Sequence, residues 1–164
     1  MKTKRFLIIL AMFMIAGFSA NAQSRYSGEV DFGYSLSFEK FGIEMSDRIN
    51  VSTTHGVMFN ERFFLGAGAG LDYAYETDAE VFMIPVYANV KGFLPISEKS
   101  SVFASADIGY TIGIENDYGN SVSCFYCCPS IGLKMNKFKI QVGYSMLVDL
   151  VTLGAMQFKV GFTF

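Results

Sequence analysis

The sequence predicts an all-β protein: an eight-stranded antiparallel up-and-down transmembrane β-barrel, preceded by a cleaved signal peptide. Three observations predict it. Eight segments alternate apolar and polar residues with the period of a strand. The second face of those segments carries glycines and charges, which suit a narrow lumen better than a solvated surface. The first residues have the layout of an export leader.

Lys2, Lys4 and Arg5 form a positive start, and the run from Phe6 to Phe18 is apolar with only Gly17 near its end. Ala20-Asn21-Ala22 then supplies the small-x-small pattern of a cleavage site. The run is shorter than the roughly 20 apolar residues a spanning helix needs, which disfavours an uncleaved anchor. Residues 1–22 are therefore read as signal peptide and 23–164 as one barrel domain. No cysteine lies near the cleavage point to take a lipid.

The first strand is expected from Tyr26 to Leu36, with Tyr26, Val30, Phe32 and Tyr34 opposite Glu29 and Asp31. The second runs from about Ser46 to Phe59, followed by a tight turn at Asn60-Glu61-Arg62. The third, Phe63 to Tyr75, sets Leu65, Ala67, Ala69 and Leu71 against Gly66, Gly68, Gly70 and Asp72. The fourth spans about Val81 to Phe93. Pro85 lies within it and predicts a bulge or a lost ladder bond, because a closed sheet has no free edge. Leu94 to Ser100, with Pro95, reads as a loop. The fifth strand is Val102 to Ile114, and Glu115 to Ser121 is a polar loop. The sixth, about Ser123 to Met135, is the least regular. Asn136-Lys137 turns into the seventh, Phe138 to Val148, and the eighth ends the chain from Met156 to Phe164.

An even strand count returns both termini to one side. The connections after strands two, four and six should face the periplasm, and those including Ser37 to Met45 and Glu115 to Ser121 should face outward. Aromatic girdles are expected at both ends. Tyr26, Phe59, Phe63, Phe93, Phe138 and Phe162 fall at the periplasmic end, and Tyr34, Tyr73, Tyr75, Phe82, Tyr110 and Tyr144 at the other.

A formal net charge of -2 argues against nucleic acid, which demands a basic face. Charged residues at 17% are too few, and apolar ones at 51% too many, for an ordinary water-facing surface. With no other stretch approaching helical spanning length, that composition fits a membrane protein built of strands.

With the strands in place, the last segment, Met156 to Phe164, resembles the terminal strand of the small outer-membrane β-barrels (porin-like, OmpA/OmpX-type), in the form found in Bacteroidetes. The resemblance covers the whole chain after the leader. It implies outer-membrane localisation and contact with outer-membrane lipid. It also implies that Phe162 and Phe164 form an insertion signal read by the barrel-assembly machinery. No periplasmic peptidoglycan-binding domain is expected after the barrel.

The candidate site is the lumen. Glu29, Asp31, Asp72 and Asp107 should face inward together with Arg48, Lys91, Lys134, Lys139 and Lys159. Such acids and bases share a narrow space only if they satisfy one another, so they read as a structural ion network that fills the bore. His55 is the only histidine and shares the lipid face with Val51 and Val57, which leaves no catalytic triad. Cys124, Cys127 and Cys128 form C-x-x-C-C. In a strand this spacing points opposite ways and holds no metal; were the segment kinked, one pair could close a loop disulfide.

The expected function is a non-enzymatic structural, adhesion or interaction role in the cell envelope. The alternatives are a narrow channel, or an accessory subunit of an envelope transport or secretion complex, and then an outer-membrane lipid-modifying enzyme. No cofactor, metal or nucleic acid is expected, and no protein partner can be named.

Overall fold

In a computed structural model the described residues are 24–37, 47–74, 81–113, 123–148 and 152–164. They form β1 (Ser24–Ser37), β2 (Arg48–Phe59), β3 (Phe63–Ala74), β4 (Val81–Ser97), β5 (Ser100–Gly113), β6 (Ser123–Met135), β7 (Phe138–Val148) and β8 (Thr152–Thr163). Each strand pairs antiparallel with its sequence neighbour, and β8 pairs with β1, which closes the sheet. The expected leader, the start of strand two at Ser46, Tyr75, Ile114 and the loop at Glu115 to Ser121 lie outside the described residues.

Alternation sets the two faces. Along β2, Arg48, Asn50, Ser52 and Thr54 are buried while Ile49, Val51, His55 and Val57 are exposed. The outer wall is apolar on every strand, with Phe32, Leu65, Val86, Ile108, Ile131, Ile140 and Phe158 all exposed. The polar residues are the buried ones, the reverse of a soluble barrel.

One rim carries three tight turns and both ends of the described chain; this is the turn end. Asn60, Glu61 and Asn136 take positive φ there, and Arg62 N–H closes on Phe59 C=O at 3.0 Å. Such left-handed central residues suit hairpins whose strands twist to the right. The opposite rim is the loop end.

The expected loop from Leu94 to Ser100 is not a loop. β4 continues to Ser97, and Glu98 and Lys99 alone turn the chain into β5, with a register shift between Pro95 and Ser97. Pro95 is tolerated because of where its nitrogen points. Phe93 N–H reaches across to Arg62 C=O at 2.7 Å. Pro95, two residues on, points the same way, past the last β3 pair, Phe63 with Gly92. No ladder bond is lost there.

Pro85 does cost ladder pairing. β3 and β4 pair through Ala69 with Val86, lapse, and resume in the same register at Asp72 with Met83. The outcome is a surrendered bond rather than a bulge. Pro129 does the same to β6 and β7, whose pairing lapses between Cys127 with Met146 and Ser130 with Gly143.

The girdle residues Tyr26, Phe138 and Phe162 are exposed at the turn end as expected, and Phe82 and Tyr110 towards the loop end. Phe93 is a correction. It is 5% exposed and packs inside with Met58, Phe64 and Phe103. Its parity matches that of Lys91, so it belongs to the lumen row.

Candidate functional site

The lumen is layered. At the turn end, Met58, Phe64, Phe93 and Phe103 form an apolar plug, with the Phe93 and Phe103 rings 5.5 Å apart. Strand parity turns all four inward, Phe93 among them, although the sequence reading assigned Phe93 to the girdle. The signal missed was that four inward positions next to the turns are all large and apolar.

Above the plug lies an ionic layer. The Glu29 carboxylate takes hydrogen bonds from both Lys91 and Lys139, and Lys139 also lies 3.0 Å from Asp31. These residues come from β1, β4 and β7, so only a closed wall brings them together. The Lys91 ammonium also stands 5.2 Å from the Phe64 ring centre, which ties this layer to the plug. Further up, Asn89 donates to Asp107, whose other oxygen lies 3.9 Å from Lys159.

The layer towards the loop end is looser. Arg48 Nη1 is 3.9 Å from Asp72, and its Nη2 donates to Ser145 Oγ at 3.2 Å. Ser35 Oγ accepts from Asn50 at 3.1 Å and from Gln157 at 3.2 Å. An apolar cluster of Tyr87, Cys124, Tyr126, Cys128 and Leu147 fills one side. Among the described residues four buried carboxylates, Glu29, Asp31, Asp72 and Asp107, face four buried cations, Arg48, Lys91, Lys139 and Lys159.

Eight of the nine sequence-predicted ion-network residues therefore meet in the lumen. Lys134 does not join them. It is only half-buried, and its ammonium lies 5.5 Å from the Phe93 ring centre. Its parity is inward, but its strand position is at the mouth.

The possible loop disulfide among Cys124, Cys127 and Cys128 is not made, and all three are free thiols. β6 runs extended through them without the kink that closure needed. Cys124 and Cys128 are buried inside and Cys127 is half-buried on the outer face. Cys128 Sγ donates to Gln157 Oε1 at 3.3 Å. No cluster of metal-ligating residues occurs among the described residues.

His55 is exposed on the outer wall, as its parity required. Its Nδ1 meets Tyr26 Oη at 2.5 Å and its Nε2 meets Thr53 Oγ1 at 2.9 Å. Thr53 gives its own proton to Glu29 C=O. Thr53 therefore accepts from Nε2–H, and Nδ1 accepts from Tyr26. The ring serves as a strap between β1 and β2. Phe162 and Phe164, the expected insertion signal, are both exposed at the turn end.

A closed eight-stranded sheet, apolar outside and ionic within, defines a transmembrane β-barrel. Solved structures share it. Neisserial surface protein A matches with a TM-score of 0.64 at 11% identity, over 86% of this chain and 99% of that one. The N-terminal β-barrel domain of Pseudomonas aeruginosa OprF matches with 0.55 at 15%, over 87% and 100%. Ail, the attachment invasion locus protein of Yersinia pestis, matches with 0.53 at 17%, over 85% and 98%. The fold is that of the small outer-membrane eight-strand barrels of the OmpA/OmpX type. No protein-family model and no curated protein matches the sequence.

Proposed function

We propose that residues 1–22 direct export and are cleaved, and that residues 23–164 then sit in the outer membrane as a closed, non-enzymatic barrel. The turn end faces the periplasm. The barrel serves envelope structure, adhesion or interaction, with lipid around its wall. Phe162 and Phe164 present the insertion signal to the barrel-assembly machinery.

One observation carries the reading of a filled barrel rather than a pore. Four carboxylates and four cations are buried together in the lumen, above a plug of Met58, Phe64, Phe93 and Phe103. Charge balance satisfies the ions, and an apolar constriction resists wetting. Planar-bilayer recording tests it: the purified barrel should show no steady single-channel current, and regular openings would overturn the proposal. Heat-modifiable mobility after membrane fractionation tests insertion.

A narrow water path is the second reading. Asp31 Oδ1, Asn50 Oδ1, Thr111 Oγ1 and Gln141 Oε1 are buried with no hydrogen-bond partner among the described residues, and buried groups of this kind are commonly met by water. Liposome swelling distinguishes that path from a sealed lumen.

A further inference from the structure

The outer wall has a trough of about 720 Å³, lined by outward side chains of β5, β6, β7, β8 and β1. One cross-strand row in it runs from Val102 through Leu133, Ile140 and Val160 to Phe32, and Val142 lies in the row above. Gln141 and Lys159 contribute to its floor, but they are buried lumen residues, so no charged side chain is offered to the outside. Val102 is near the turn end of β5 and Phe32 is near the middle of β1. The trough therefore climbs from the turn end into the waist of the wall.

Cations stand at its foot. The β4–β5 and β6–β7 turns are tied together by Asn136 N–H donating to Lys99 C=O at 2.7 Å. Lys99 and Lys137 are both exposed on these turns, and the Lys137 ammonium lies 5.7 Å from the Phe162 ring centre. Glu98 sits beside Lys99 and tempers that side, so Lys137 is the stronger charge.

We infer that the trough is a phospholipid site: an acyl chain lies between Val102 and Phe32, and the lipid phosphate meets Lys137 and Lys99. This rests on the reading above, that the barrel spans the outer membrane with its turns in the periplasm. A flexible chain fits where a second copy does not. A two-fold contact would set one concave face against another and leave a void, which close packing does not tolerate. The order of features along the wall, a basic pair at the interface and then an unbroken apolar slot, is that of an anionic lipid in the periplasmic leaflet. Basic residues near an anionic lipid surface add attraction that an apolar slot alone lacks.

The test uses the full barrel reconstituted in vesicles of phosphatidylglycerol and phosphatidylethanolamine, extracted in mild detergent and read by native mass spectrometry. Phosphatidylglycerol should stay bound in preference to phosphatidylethanolamine. Val142→Trp and Ile140→Trp fill the slot and should remove the retained lipid, whereas Leu65→Trp on β3 should not. Lys99→Glu with Lys137→Glu should lower the preference for phosphatidylglycerol about tenfold. Retention unchanged in Val142→Trp, or equally lost in Leu65→Trp, overturns the site. An unchanged lipid preference in the double lysine variant overturns the headgroup contact. Disulfide dimers of Val142→Cys, with the three native cysteines replaced by alanine, would assign the trough to a second copy instead. Heat-modifiable mobility reads membrane insertion without reference to retained lipid, so a barrel that inserts but keeps no lipid overturns this site and leaves the membrane reading standing.

Discussion

Phe164 closes on Gly28. Their backbones exchange two hydrogen bonds, Gly28 N–H to Phe164 C=O at 2.9 Å and Phe164 N–H to Gly28 C=O at 2.8 Å. The Phe164 ring then lies over Gly28, where an added Cβ would stand 2.7 Å from Cζ. The strapped His55 ring meets Phe164 edge-on at 6.1 Å.

The seam between β1 and β8 should therefore be sensitive to one methyl group. Gly28→Ala should lower stability by about 1 kcal/mol, the low end for overpacking, because the ring that must move is exposed and can turn aside. Urea unfolding in lipid vesicles reads this. Phe164→Ala should also destabilise, and the two changes should not add, because both remove the same contact. Additive losses would show that the ring and the glycine act independently.

Glu29 is shared by Lys91 and Lys139, and Lys139 has Asp31 as a second partner. Glu29→Gln leaves Lys91 a buried cation without its carboxylate and should cost about 3–5 kcal/mol in the same unfolding assay. Adding Lys91→Met removes the orphaned charge and should recover most of the loss. A double variant no better than the single would mean that Glu29 acts through shape rather than charge.

The plug and the ionic layer can be separated by conductance. If the apolar ring is the seal, Phe64→Ala with Phe103→Ala should open a measurable current in planar bilayers. If the ions are the seal, Arg48→Ala with Lys91→Ala should do so. Because three large rings pack together there with Met58 and resist wetting, the aromatic pair should give the larger increase.

The cysteines offer a check on strand β6. In the folded barrel Cys124 and Cys128 are buried in the lumen. A bulky water-soluble maleimide should leave both unmodified until the barrel is denatured, when all three thiols should react without prior reduction. A need for reductant would mean that a disulfide exists and β6 is kinked.

Much of this was legible beforehand because strand parity is a local property. Glu29, Asp31, Asp72 and Asp107 alternate with apolar neighbours, so their inward direction follows once each strand is recognised. Phe93 departs from the girdle because aromatics near a strand end suit a girdle and a plug equally, and only parity separates them. The Leu94 to Ser100 segment reads as a loop because proline usually ends a strand. Whether it does depends on what lies beside its nitrogen, and that is set by where β3 stops.

Alternation along each segment determined by itself that this chain makes strands, and which side chains share a face. It did not determine who meets whom across the bore. Glu29 is paired with residues on β4 and β7, and no local pattern encodes such partners. Closure of the sheet and its stagger brought them to one level, because burying an ion is tolerable only where an opposite charge arrives from another wall.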